Sequence, residues 1–140
     1  MKKMRLLIVD DEPALCKVLS DRITVLHGIT PDVSHNGLEA LERLKAADYD
    51  VVVLDIEMPG MDGMETLKRI KELRPTVQVI MFTGHSTEER RALAETLGAF
   101  NYVDKIDGIS TLSPTITGAF KFRKALEDTY ADVALNEYSR

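Results

Sequence analysis

Acidic residues in this chain gather where apolar runs stop. Leu6 to Val9 runs out into Asp10, Asp11 and Glu12, and Val51 to Leu54 runs out into Asp55, followed by Ile56-Glu57-Met58-Pro59-Gly60-Met61-Asp62-Gly63. Val77 to Phe82 ends at Thr83-Gly84-His85, and the shorter run Phe100 to Val103 leads into Asp104-Lys105. If the first of these runs lies beside the second, three carboxylates converge on one spot. Two unit charges ~4 Å apart repel by ~1 kcal/mol in water and by ~4 kcal/mol at a protein-surface dielectric. Such a cluster calls for a cation. With only oxygen ligands on offer, a hard ion such as Mg²⁺ is the chemical match, and Lys105 can add a further positive charge. Each residue also has an ordinary reading. Asp10 and Asp11 could cap a helix, Asp55 could initiate the Pro59-Gly60 turn, Thr83 could be a plain strand end, and Lys105 a solvated lysine. What favours chemistry is that all of them fall at strand ends on one rim.

The elements that must position these residues are legible in the hydrophobic pattern. The four apolar runs are short, rich in Val and Ile and mostly without polar alternation, as strands covered on both faces are. A weaker fifth candidate, Ile29 to Ser34, carries Pro31 and belongs at an edge if it is a strand at all. Helical stripes lie between them: Leu15, Val18, Leu19, Arg22, Ile23 and Leu26 after Pro13; Leu38, Leu41 and Leu44 after Asn36-Gly37; Met64, Leu67, Ile70 and Leu73 before Pro75. Ser86 with Glu89 reads as a capping box for a fourth helix that ends at Gly98. Ser113-Pro114 reads as the start of a fifth, with stripe Ile116, Phe120, Leu126 and Tyr130. Strand and helix alternate five times, so the expected fold is α/β, a doubly wound five-stranded parallel sheet with helices on both faces. In such sheets ligands bind beyond the carboxyl ends of the strands.

Composition narrows the function classes. At 140 residues, 44% of them hydrophobic and 29% charged, the chain is sized for one folded domain. A net charge of −5 without a local Lys/Arg cluster gives no surface for direct nucleic-acid binding. No apolar run approaches the ~20 residues of a membrane span. The N-terminal MKKMRLLIVDDEP is too short in its apolar part for a signal peptide, so a cytoplasmic location is expected. The lone Cys16 excludes an internal disulfide and reads as a packing residue.

The segments LLIVDDEP, VVVLDIEMPGMDG, IMFTGH and FNYVDK, in this order, resemble the receiver domains of two-component response regulators. The likeness runs from about Arg5 to Lys105. It implies a flavodoxin-like sheet of order 2-1-3-4-5 and a phosphoacceptor role for Asp55, whose carboxylate would attack a phosphohistidine of a sensor histidine kinase or phosphotransfer protein. It implies Mg²⁺ held directly by Asp11, Asp55 and the backbone carbonyl of Glu57, with Asp10 acting through water. Thr83 is implied as the hydroxyl that bonds a phosphoryl oxygen, Lys105 as the ammonium that pairs with another, and Tyr102 as the aromatic that turns inward with Thr83. Gly84, lacking a side chain, would leave the site open. Beyond its own phosphorylation and dephosphorylation no enzyme activity is implied, and the downstream target is unknown.

Two departures and two rivals accompany the resemblance. The family usually has proline after the lysine, in a cis bond; here it is Ile106, where a cis bond costs ~3 kcal/mol, so a trans bond or a strained loop is expected. The late start of the fifth helix leaves a longer link through Gly108. One rival is an aspartyl-phosphate phosphohydrolase, which uses an Asp-x-Asp pair where this chain has Asp55 and Glu57. The other is a phosphate-independent interaction module, against which stands the complete set of site residues. Residues 1–130 are expected to form the domain and 131–140 a C-terminal extension. Tyr130, Val133, Ala134 and Tyr138 keep a helical spacing there, and a stripe of that kind is suited to pairing as a homodimer or to covering an output domain.

Overall fold

Short Val- and Ile-rich strands without polar alternation need cover on both faces. The computed structural model, which describes residues 3–138 and the side chains of all of these except 132 and 134–138, supplies it. The elements are β1 (Leu6–Val9), α1 (Pro13–His27), β2 (Asp32–Ser34), α2 (Gly37–Ala46), β3 (Val51–Leu54), α3 (Gly63–Leu73), β4 (Gln78–Thr83), α4 (Glu88–Thr96), β5 (Asn101–Asp104), a 3-10 turn (Lys105–Asp107) and α5 (Gly108–Tyr138). Every strand pair is parallel and the order is β2-β1-β3-β4-β5, the arrangement expected from the sequence. The segment carrying Pro31 does sit at an edge, and its strand shrinks to the three residues after the proline.

Strand side chains alternate between two apolar layers. Leu7, Val9, Val52, Leu54, Val79 and Met81 pack with Ala40, Leu41, Leu44, Leu67, Ile70 and Ala94, so α2, α3 and α4 cover one face. Leu6, Ile8, Val51, Val53, Ile80 and Phe82 pack with Cys16, Leu19, Ile23, Leu112, Ile116 and Ala119, so α1 and α5 cover the other. The register sets Val9 beside Leu54 and Leu54 beside Met81. The residues that follow β1, β3 and β4 therefore emerge at one rim.

The helices differ from their sequence reading in detail. The buried line of α1 is Cys16, Leu19 and Ile23, while Val18 and Leu26 face solvent. In α2, Leu38 is exposed and Ala40 takes its place in the core, and in α3 Leu73 is partly exposed. A six-residue stripe is wider than the strip a sheet covers, and periodicity alone does not say which edge is left out. The cap of α4 is Thr87, whose side chain accepts from the Arg90 amide, and not Ser86. The largest correction is at α5, which starts at Gly108 and takes Pro114 inside it. Proline removes one helical hydrogen bond and crowds the preceding turn, at about 3 kcal/mol. Burial of Leu112, Ile116 and Ala119 against the sheet offsets that. The chain contains no cis peptide bond among the described residues, so Lys105-Ile106 is trans, and the Asp104 carboxylate accepts from the Ile106 amide to start the 3-10 turn.

Candidate functional site

Asp10 and Asp55 leave β1 and β3 as neighbours, the Asp55 amide donating to the Val9 carbonyl at 3.0 Å and the Asp10 amide to that of Ser34 at 3.1 Å. Their side chains are nearly closed off, at 2% and 5% residue exposure. Asp11 is more open. One carboxylate oxygen from each of the three lies within 4.8 Å of the others, a donor set with the all-oxygen character that suits a hard divalent cation. Lys105 reaches over from the carboxyl end of β5, its Nζ 2.9 Å from Asp10 Oδ2 and 3.3 Å from Asp55 Oδ2. Thr83 is fully buried at the end of β4, its hydroxyl accepting from the His85 amide at 3.4 Å and favouring the charged form of Asp55.

The electrostatics follow from this crowding. Burial first, and then the Asp10 charge, push the Asp55 carboxyl above its usual range; Lys105 and the Thr83 hydroxyl oppose that without cancelling it. Burial alone would lower the Lys105 ammonium, but Asp10 and Asp55 outweigh it and hold it above its ordinary value. One lysine among three clustered acids leaves an excess of negative charge, which a divalent ion would neutralise. Asp11 opens onto a cavity of about 430 Å³ walled by Ile56, Glu57, Pro59 and Arg90, among others.

The remaining residues singled out in the sequence are placed as follows. The Glu57 carboxylate turns away from the acidic group, to Arg90 Nη1 at 3.2 Å and His85 Nε2 at 3.4 Å. Tyr102 is buried inward at 6% exposure with the Arg91 guanidinium 4.8 Å from its ring centroid, and its hydroxyl has no hydrogen-bond partner of good geometry. A Cβ at Gly84 would stand 3.9 Å from Lys105 Cδ, an ordinary contact, so only a larger side chain would crowd the lysine. The capping reading of the acidic pair is half right. The α1 cap residue is Glu12, with no side-chain bond of its own, and Asp10 Oδ1 accepts from the Glu12 amide at 3.0 Å. Asp55 and Lys105 lose their ordinary readings outright, since both carry their charges in the cluster.

Three contributors were not legible in the sequence. Gly63 opens α3 against the exit of β3, where a methyl group would collide with the Asp55 carbonyl oxygen and stand 2.5 Å from Ile56 Cα. Arg90 bridges Glu57 and the His85 carbonyl. His35, in the loop after β2, bonds the Asp10 carbonyl. Gly63 stood inside a recognised motif, but its reason is spatial; Arg90 and His35 gave no signal.

The family model of the response regulator receiver domain matches residues 6–116. The chain belongs to that family, whose members accept a phosphoryl group in two-component signalling. It is 41% identical over 98 residues to the DNA-binding transcriptional regulator NtrC of Escherichia coli, covering 70% of this chain and 21% of that protein. It is 31% identical to the transcriptional regulatory protein YkoG of Bacillus subtilis, covering all of this chain and 64% of the relative. The chain thus spans about a fifth to two thirds of the length of these relatives. Among solved structures, the response regulator TrrA of Thermotoga maritima in complex with Mg²⁺ and BeF aligns with TM-score 0.75 and 33% identity, over 83% of this chain and 98% of that one. A receiver domain protein of Methanospirillum hungatei aligns with TM-score 0.82 and 26% identity, over 89% of this chain and 98% of that one. Among the described residues no helix is long and apolar enough to cross a membrane.

Proposed function

We propose that Asp55 is the phosphoacceptor and that Mg²⁺ is held by Asp11, Asp55 and the Glu57 backbone carbonyl, with Asp10 acting through water. The observation that carries this is the convergence of three carboxylate oxygens within 4.8 Å under one lysine at the carboxyl rim of the sheet. An Asp55 oxygen attacks the phosphorus of a phosphohistidine in line; the P–N bond breaks, the P–O bond forms, and the imidazole leaves. Bound Mg²⁺ supplies positive charge to the equatorial oxygens. Lys105 pairs with one of those oxygens, Thr83 donates its hydroxyl to another, and Gly84 leaves room for them. Tyr102, already buried in this structure, is held inward when Thr83 is drawn to the phosphoryl group, which makes the chemistry a local charge event that biases a surface. The reaction is self-modification, so the unit of residues 1–130 is a switch and not a turnover enzyme, with 131–140 as its extension.

A phosphodonor must bring its histidine to Asp55 past the adjoining surface. An open groove of about 350 Å³ between α1 and the start of α5, lined by Leu15, Val18, Ile109 and Lys105, borders the site, and Ile106 beside it is 88% exposed. A helix of a cytoplasmic sensor kinase or phosphotransfer protein fits that apolar strip. Incubation with acetyl phosphate and Mg²⁺ should add one phosphoryl mass, labile to hydroxylamine and lost in Asp55→Asn. Undiminished labelling of Asp55→Asn would remove the assignment. No labelling of the wild type would favour a phosphate-independent module, and steady turnover of a phosphomonoester would favour a phosphohydrolase.

A further inference from the structure

The turn that carries Asp10 and Asp11 is closed from within by Asp10 Oδ1, which accepts from the Glu12 amide, while Glu12 makes no side-chain bond to the helix amides. A second hold on it comes from a different loop. The His35 Nδ1 lies 3.0 Å from the Asp10 carbonyl oxygen. A carbonyl only accepts, so Nδ1 carries the proton and donates. Cys16 Sγ, at 3.4 Å, is the other donor to this oxygen, and a thiol is a weak one. Cys16 is also buried, with burial and then Asp10 pushing its pKa up to about 11, so it stays a thiol.

The oxygen in question belongs to the peptide that joins the two acidic residues. A peptide unit is planar, so holding its oxygen orients the whole plane from the Asp10 Cα to the Asp11 Cα. Asp10 is otherwise pinned through its amide to Ser34 and through its side chain to Glu12 and Lys105. Asp11 takes its direction from its two flanking peptides: the one after it is held where the Glu12 amide donates to Asp10 Oδ1, and the one before it is held by His35. His35 itself is steadied by the residues that start α2, its amide donating to Glu39 Oε2 at 3.4 Å.

We propose that His35 is a positioning residue for the metal site: its Nδ1–H, given to the Asp10 carbonyl, aims the Asp11 carboxylate at the cation. The proposal rests on the reading of Asp11 as a metal ligand. Loss of an outer partner of a metal ligand typically weakens metal binding by about 10-fold or more.

The test is Mg²⁺ titration of the unphosphorylated full chain by calorimetry, with thermal unfolding recorded in parallel. Asparagine places its amide nitrogen where His35 has Nδ1, whereas glutamine places it nearer Nε2. His35→Asn should bind Mg²⁺ within about twofold of wild type, while His35→Gln and His35→Ala should bind about 10-fold more weakly by the same reasoning. Equal weakening of His35→Asn and His35→Gln would reduce His35 to a generic packing role and overturn the proposal, as would an unchanged affinity in His35→Ala. If the wild type takes up Mg²⁺ but Asp11→Ala binds it equally well, it is the reading of Asp11 that fails, and the proposal falls with it.

Discussion

Asp55 is asked to be ionised in a place that disfavours ionisation, closed to water and beside Asp10. A carboxyl whose folded pKa lies above its unfolded value holds its proton more tightly in the fold. Its contribution to stability is present at low pH and is lost as pH rises through the folded pKa. Asp55→Asn should therefore melt higher than the wild type at neutral pH without Mg²⁺. A few degrees is the shift that about 1 kcal/mol of relief gives in a domain of this size. The gap should close below the ordinary carboxylate value of 3.8, and it should close again when Mg²⁺ is added to the wild type at neutral pH. Melting curves across that pH range check both arms, and a gap independent of pH would mean the strain is not electrostatic. At this scale the sequence was informative because charged residues at strand ends can be counted. It was silent on His35 and Arg90, whose partners are set by loop paths and not by spacing.

At the scale of elements, four of the five strands were readable to within a residue, β2 starting three residues later than its run, and the helix faces were less readable. Val51 to Leu54 had to be central because it is apolar on both sides, whereas nothing in the α1 stripe told Val18 from Leu19. The joint between β3 and α3 is the tightest in the site, since the Gly63 amide donates to the Ile56 carbonyl at 2.7 Å and leaves no space for a side chain. Gly63→Ala should lower stability by about 2 kcal/mol, the usual scale of overpacking a rigid contact, and slow phosphorylation by displacing Asp55. A chemical-denaturation curve with parallel acetyl phosphate labelling checks it. The opposite end of β3 is held by an ion pair the sequence did not disclose. Arg123 of α5, 5% exposed, donates to Asp50 at 2.6 Å and Asp48 at 2.9 Å, and pairs with Glu127. Asp50, 1% exposed, also accepts from the Arg5 amide. Arg123→Met leaves that carboxylate buried with its cation gone and should lose about 3 kcal/mol. Adding Asp50→Asn removes the orphan charge while keeping an acceptor for Arg5, so the double variant should recover most of the loss. Additive losses in a double-mutant cycle would count against this account of the pair.

For the whole molecule, the feature that local reasoning left open is the reach of α5. It extends from Gly108 to Tyr138, about 46 Å at 1.5 Å per residue, and its last buried residue among the described side chains is Arg123. The helix runs on for several turns beyond Arg123 and carries Tyr130 and Val133; Ala134 and Tyr138, part of the same stripe, lie outside the described side chains, and residues 139–140 outside the described chain. Phe122, Tyr130 and Val133 are about half exposed or more, and Leu126 between them is only partly covered. A solitary helical projection is marginal in water, where the nucleus is costly and no tertiary face repays it. Covering a side chain of valine size contributes about 1.5–3 kcal/mol, so a partner helix presenting the same stripe would stabilise the projection on both chains. A second copy of this chain carries such a helix by definition. Truncation after Asp128 removes Tyr130 and Val133 but keeps Arg123 and Glu127. It should leave phosphorylation of the domain intact and shift the mass in light scattering toward the monomer. Full-length protein that is already monomeric at high concentration, with the same mass after truncation, would leave the projecting stripe for a different chain to cover.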